Sequence, residues 1–193
     1  MTYNTYADIL RPAARRQALV YDFLLLVGGS ILLFASAQLT IRLPFSPVPI
    51  TGQTFAVLLI GASLGSVRGG LVVLLYIAEG LSGLPVFAGG LAGPGIIMGP
   101  TGGYLIGFVP AVIIVGFLAE RGWDRRVLTT LAAMTAGTAA IFLCGLAWLS
   151  VFQHPESLLT IGLWPFIPGA ILKIVAAALL LPLGWRLPGL FED

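Results

Sequence analysis

Long apolar runs, separated by small groups of arginines and by proline-glycine segments, set the pattern of this chain. Six apolar segments emerge, at about 19–41, 52–66, 69–82, 103–119, 127–150 and 164–183. The first, fifth and sixth reach the roughly 20 residues that a membrane-spanning helix needs. The second and third are shorter. At ~1.5 Å per residue, their 15 and 14 residues cover only about 22 Å of a ~30 Å hydrocarbon core. They are expected to form a helical hairpin turning near Arg68, with irregular backbone at 43–51 and 83–101 filling the remaining depth. Merging 52–82 into one broken span would give five spans instead of six.

Composition supports this pattern. The 193 residues are 58% hydrophobic and only 9% charged, with a mean hydropathy of +1.02, whereas soluble domains carry roughly 25% charged residues. The expected fold is therefore an all-α integral membrane protein: one six-helix domain over 1–193, led by a cytoplasmic segment at 1–18. The lone cysteine, Cys144, can form no intrachain disulfide.

Charge distribution then orients the spans. With the N-terminus inside, Arg11, Arg15, Arg16, Arg68, Arg121, Arg125, Arg126 and Arg186 are all cytoplasmic, against Arg42 alone outside. This positive-inside bias predicts a multi-pass protein of the cell membrane with both termini cytoplasmic and with 43–51, 82–102 and 151–163 outside. Ala35-Ser36-Ala37 resembles a signal-peptidase site. The apolar run before it is longer than a signal core, carries Asp22 and precedes five further spans, so the segment is expected to remain as a helix.

Two outer segments stand apart. Residues 81–104 hold eight glycines, three prolines and no charge, yet keep many large apolar side chains. Non-helical backbone at membrane depth is tolerated only where it is buried in protein or lines a cavity, so this stretch is a candidate site. Gly99-Pro100-Thr101-Gly102-Gly103-Tyr104 opens the fourth span, and a helix start there turns free N–H groups and positive dipole toward a bound carboxylate or carbonyl. Residues 43–54 repeat the theme, with three prolines leading into Thr51 and Gln53 at the second helix start. Glycines spaced by four, at 61, 65 and 69 and again at 99, 103 and 107, are expected to stack on helix faces and admit close packing.

Within the spans, Lys173 is the only lysine, nine residues into the last one. An isolated cation there costs about 2.5–3.5 kcal/mol, so such residues have partners or functions. Glu79 is the other candidate: a partner for Lys173, a proton site or an acceptor for a ligand. One histidine and one cysteine make no metal constellation, and no nucleophilic triad is present. A P-loop needs Gly-Lys-Ser/Thr, whereas Lys173 follows Leu172. The chain is therefore expected not to be an enzyme, to bind no metal, cofactor or nucleic acid, and not to hydrolyse ATP itself.

Four stretches carry a resemblance: Pro47-Val-Pro-Ile-Thr-Gly-Gln-Thr54, Gly83-Leu-Pro-Val-Phe-Ala-Gly-Gly90, Gly99-Pro-Thr-Gly-Gly-Tyr104 and Phe166-Ile-Pro-Gly-Ala-Ile-Leu-Lys173. Together the chain resembles the BioY family, the biotin-binding S components of energy-coupling factor transporters. The resemblance implies a six-helix fold with an outer biotin pocket under the 1–2 and 3–4 loops. It also implies a membrane T component and two cytoplasmic ATPases as partners, with ATP used only by them; a solitary, homo-oligomeric carrier is the other arrangement. Candidate ligand residues are then Thr51, Gln53, Glu79, Phe87, Gly89, Gly90, Thr101, Gly102, Gly103, Tyr104 and Lys173. Residues 83–95 are expected to act as a lid and 99–104 as a floor.

Two departures from the family pattern stand out. The aspartate typical three residues before the lysine is Ala170 here, and Glu79 or a loop carbonyl is expected to supply the missing acceptor. In place of Ala-x-x-x-Ala on the first helix, Gly28, Gly29, Ser30 and Ala35 are the candidate docking residues. The alternatives are an S component for another vitamin, or a small ion- or proton-coupled carrier using Glu79 and Lys173.

Overall fold

With no water in a bilayer core to satisfy free N–H and C=O groups, long apolar runs become helices. The computed structural model describes residues 5–186; residues 1–4 of the expected N-terminal segment lie outside them. Helix α1 (Tyr6–Ile9) precedes α2 (Arg15–Gln38), followed by α3 (Gln53–Leu81), α4 (Pro94–Met98), α5 (Gly102–Ala119), α6 (Val127–Leu149), α7 (Pro155–Gly162) and α8 (Ile167–Gly184). Between α2 and α3, strands β1 (Thr40–Ile41) and β2 (Ile50–Thr51) pair antiparallel, with Thr40 opposite Thr51. They pinch off the 42–49 loop.

Among the described residues, five stretches are long and apolar enough to cross a membrane, and the second, α3, is bent back on itself. Gly65 has φ 83° and ψ 179°, a region essentially restricted to glycine. Across this break the arms 53–64 and 66–81 face each other. A Cβ on Gly69 would lie 3.4 Å from Gly61 Cα, and Gln53 Nε2 donates to Tyr76 Oη at 2.7 Å. In a straight helix those 23 residues would span roughly 34 Å. The hairpin therefore turns at Gly65, three residues before Arg68. Counted by arms, α2, the two halves of α3, α5, α6 and α8 give six helical segments.

Local chemistry explains the turn. Glu120 Oε1 accepts from Ser66 N–H at 2.7 Å and from Ser66 Oγ–H at 2.8 Å, capping the second arm. Gly116 leaves room for the bend, since a Cβ there would meet Ser66 N at 2.3 Å. The expected glycine face over 61, 65 and 69 is thus corrected. Gly65 is the hinge, and Gly61 and Gly69 approach each other because the chain reverses. Gly103 and Gly107 pack instead against α6, at Cys144 O and Ile141 Cα.

Helix α5 lies between the α3 hairpin and α6 and contributes Phe108, Ala111, Val112 and Val115 to the buried core. Helix α2 is peripheral, and its Leu19, Phe23, Leu24 and Ile31 are exposed, as suits a lipid-facing surface. At one end of the bundle Arg68 pairs with Asp8 at 2.7 Å and Asp22 at 3.0 Å, and Arg11 pairs with Asp22 at 2.7 Å. Trp185 Nε1 donates to Asp124 Oδ2 at the same end. The opposite end gathers the proline-glycine loops. There Ser46 Oγ donates to Ile161 O, Tyr104 Oη to Gly162 O and Trp148 Nε1 to Gly99 O, at 2.7–3.0 Å.

Candidate functional site

At the loop-bearing end, a cavity of about 440 Å³ opens between the 42–54 segment, the Phe87–Leu91 turn, α5, α6 and α8. This is within the range of small-molecule sites. Leu58, Phe108, Ile141, Phe142 and Phe166 give it apolar walls. Its polar lining includes Arg42, Thr51, Gln53, Thr54, Thr101, Thr138 and Lys173. Among the described residues, two cationic side chains and no carboxylate line the space.

Lys173 reaches this wall from α8. Its Nζ donates to the Thr51 carbonyl at 2.7 Å and to Thr54 Oγ1 at 2.8 Å. A pairing with Glu79, one of the three roles open to that residue, is not formed. Glu79 lies off the cavity lining, where its Oε2 accepts a hydrogen bond from Ser30 Oγ of α2. Neutral oxygens therefore hold the intramembrane cation, and its charge is left for whatever enters the cavity.

Gln53 is 3% exposed, and its amide nitrogen is engaged by Tyr76. Tyr76 Oη in turn donates to Val86 O at 2.9 Å. Among the described residues nothing donates to Gln53 Oε1, which leaves an acceptor at the wall. Beyond Val86, Phe87 is 1% exposed and meets the Tyr76 ring edge-on at 5.7 Å. It also occupies the space over Gly80, where a Cβ would come within 2.1 Å of its ring. Phe87 N–H and Leu91 O close a tight turn at 3.0 Å, with Gly89 and Gly90 at φ 71° and 73°. The lid segment is thus pinned by a buried aromatic side chain.

Of the residues expected at the site, the cavity lining includes Thr51, Gln53, Phe87, Thr101, Tyr104 and Lys173, and leaves out Glu79, Gly89, Gly90, Gly102 and Gly103. Gly102 and Gly103 are packing positions, where a Cβ would strike Ile97 O at 1.7 Å or Trp148 Cβ at 2.2 Å. Nor does Thr101 cap α5 as expected, since its hydroxyl donates to Ile96 O at 3.4 Å. The candidate docking residues also divide. Gly28 and Ala35 are on the open face of α2, while Gly29 packs against Val72 and Ser30 is engaged by Glu79.

Residues 10–189 match the model of the BioY family. The chain belongs to the BioY family. It is 42% identical over 165 residues to the biotin transporter BioY of Rhodobacter capsulatus, covering 74% of this chain and 85% of that one. It is 38% identical over 141 residues to the biotin transporter BioY of Thermotoga maritima, covering 72% and 82%. Among solved structures, the crystal structure of the S-component for biotin from an ECF-type ABC transporter superposes with a TM-score of 0.76. That match is 26% identical and covers 93% of this chain and 97% of that one.

In this BioY-family chain, Ala170 lies on the cavity wall, so no carboxylate from α8 reaches the site. Sequence reasoning missed Arg42, Ser46, Thr54 and Thr138 as wall residues. Thr138 had a readable signal. The inward positions of α6 run Thr130, Met134, Gly137, Thr138, Ile141 and Gly145, and Thr138 is a hydroxyl set inside that helical stripe. Helix α7 also had signals, with Pro155 at its first position and Glu156 in its first turn, the residues that favour helix starts.

Proposed function

We propose that this chain is the biotin-capturing S component of a vitamin transporter. It carries out no covalent chemistry, and it takes biotin from the outer side and delivers it inward. The observation that carries the proposal is the cavity, which among the described residues has apolar walls, two cations and no acid. Biotin is a monoanion with an apolar thioether ring and valerate chain and a compact ureido head. A cationic vitamin such as thiamine would meet two like charges with no counter-charge, so the reading as an S component for that vitamin loses support.

Within that site, Lys173 Nζ donates to the ureido carbonyl, a bond to a charged group worth about 1.5–3 kcal/mol. Gln53 Oε1 and the Thr138 hydroxyl accept from the ureido N–H groups, in place of the acid that Ala170 lacks. Thr51, Phe87, Thr101 and Tyr104 complete the enclosure. Glu79 is bonded to Ser30 and Lys173 to Thr51 and Thr54, so an ion- or proton-coupled carrier using Glu79 and Lys173 gains no support.

Both termini are cytoplasmic in this proposal. The eight arginines of the positive-inside count fall at the end of the bundle where Asp8, Asp22 and Arg68 meet, and the cavity opens at the other end. A membrane T component and two cytoplasmic ATPases supply the energy, because the chain has no nucleotide-binding loop of its own. Gly28 and Ala35, free on the outer face of α2, are the positions at which a partner helix approaches. Calorimetric titration of the detergent-solubilised protein with biotin tests the proposal, with saturable binding at micromolar biotin as the expected result. Absence of heat at that concentration sinks it.

A further inference from the structure

Three basic or acidic groups near the outer end have no evident structural purpose at first sight: Glu79, Glu156 and Arg42. Glu79 is spent on Ser30, and Glu156 lies in the first turn of α7, where a carboxylate favours the helix start. Arg42 has no such account. It directly follows β1, so the β1–β2 pairing holds its backbone at the rim of the cavity, and its side chain is part of the lining. Among the described residues it makes no ion pair and no hydrogen bond, the three ion pairs all lying at the other end of the bundle.

Its position is nonetheless defined. A Cβ on Gly89 would come within 2.7 Å of Arg42 Nη2, so the guanidinium lies directly against the lid turn where that turn has no side chain. Gly89 is held at φ 71°, a conformation that disfavours any other residue. The bare glycine and the guanidinium therefore meet from two loops far apart in sequence. A guanidinium presents five N–H donors in a fork that fits a carboxylate. Here none of the five is taken by the described residues.

We infer that Arg42 is the anchor for the ligand's carboxylate, at the exposed edge of the cavity lining that it shares with Lys173. The ligand is held at both ends, its ureido head by the α8 lysine and its valerate carboxylate by the loop arginine. Because the same guanidinium abuts Gly89, the bound carboxylate also ties the 42–49 loop to the lid turn and slows ligand escape. This assignment rests on the biotin reading above and adds the polarity of the ligand within the cavity. Arg42 is exposed at the rim, where an ion pair is worth less than a buried one. A two-pronged contact partly covered by the lid lies between the exposed and desolvated limits, or about 10-fold in affinity.

The test compares biotin with biotinol, its uncharged alcohol, by calorimetry on the full-length solubilised chain, in wild type, Arg42→Gln and Arg42→Lys. Wild type is expected to prefer biotin by about 10-fold or more. In Arg42→Gln that preference collapses, with biotinol affinity nearly unchanged, and Arg42→Lys restores part of it. Unchanged biotinol binding also shows that the variant is folded. Equal loss of both ligands in Arg42→Gln, or an undiminished preference for biotin, overturns the anchor and leaves the biotin reading standing. A wild type that binds neither ligand overturns both.

Discussion

Lys173 shows how one side chain in an apolar run can announce a site. Its Nζ rests on Thr51 O and Thr54 Oγ1, so removing it leaves two polar oxygens at the cavity wall without their donor. Lys173→Ala is expected to weaken biotin binding by about 10- to 100-fold, the equivalent of one charged hydrogen bond, while the melting temperature in detergent moves little. Unchanged affinity in calorimetry would remove Lys173 from the site. Asp8 makes a second residue-scale prediction. Burial disfavours its charge, but hydrogen bonds from Arg68 and from the Thr5 N–H and hydroxyl outweigh that and hold its carboxyl below the ordinary range. A lowered folded value means that its contribution is complete above the unfolded value of about 3.9 and fades as pH falls through the folded value. The melting temperature should hold from pH 7 to about 5 and drop below about pH 4, and Asp8→Asn should flatten that drop. The effect is small because the Asp8 side chain is 37% exposed and screened. Lys173 was legible because a lysine in a span has few innocent explanations. Arg42 and Thr138 were not, because their significance depends on which loops and helices end up beside them.

Among the elements, the α3 hairpin was legible from length alone, since neither arm could cross a bilayer core unaided. Its turning point was not. Arg68 carries the charge expected of an exposed turn, yet it sits one residue-turn inside the second arm, where Asp8 and Asp22 hold it. The bend falls at Gly65 because only glycine tolerates that φ and ψ and because Glu120 waits to cap Ser66. Gly65→Ala places a Cβ 2.8 Å from Glu120 Oε1 and forces a strained backbone. It is expected to cost about 1–3 kcal/mol, read as a clear fall in melting temperature. A variant as stable as wild type would mean that the turn relocates. The short strands and α7 escaped notice for a different reason. Two-residue strands leave no periodicity, and α7, only eight residues long, lies in the 151–163 connection and outside the apolar runs.

For the molecule as a whole, the arginine count makes a prediction about sidedness. In a Cys144→Ala background, Glu156→Cys should react with a membrane-impermeant maleimide in intact cells, and Arg121→Cys only after the membrane is opened. The reverse pattern would invert the proposed topology and put the cavity on the cytoplasmic side. Both positions are exposed, so reactivity reports on sidedness rather than burial.

Sequence by itself determined the membrane class and the long apolar segments, because these follow from local hydropathy. It also singled out Lys173 and the two outer proline-glycine segments. Only the tertiary structure decided which polar groups were spent and which were left over. Glu79, Ser30, Gly102 and Gly103 are consumed by neighbours inside the bundle, whereas Gln53 Oε1, Thr138 and Arg42 are left facing a common space. The physical reason is that a group's availability depends on what packs beside it, and the cavity wall is assembled from loop, α3, α5, α6 and α8 atoms that no stretch of sequence brings together.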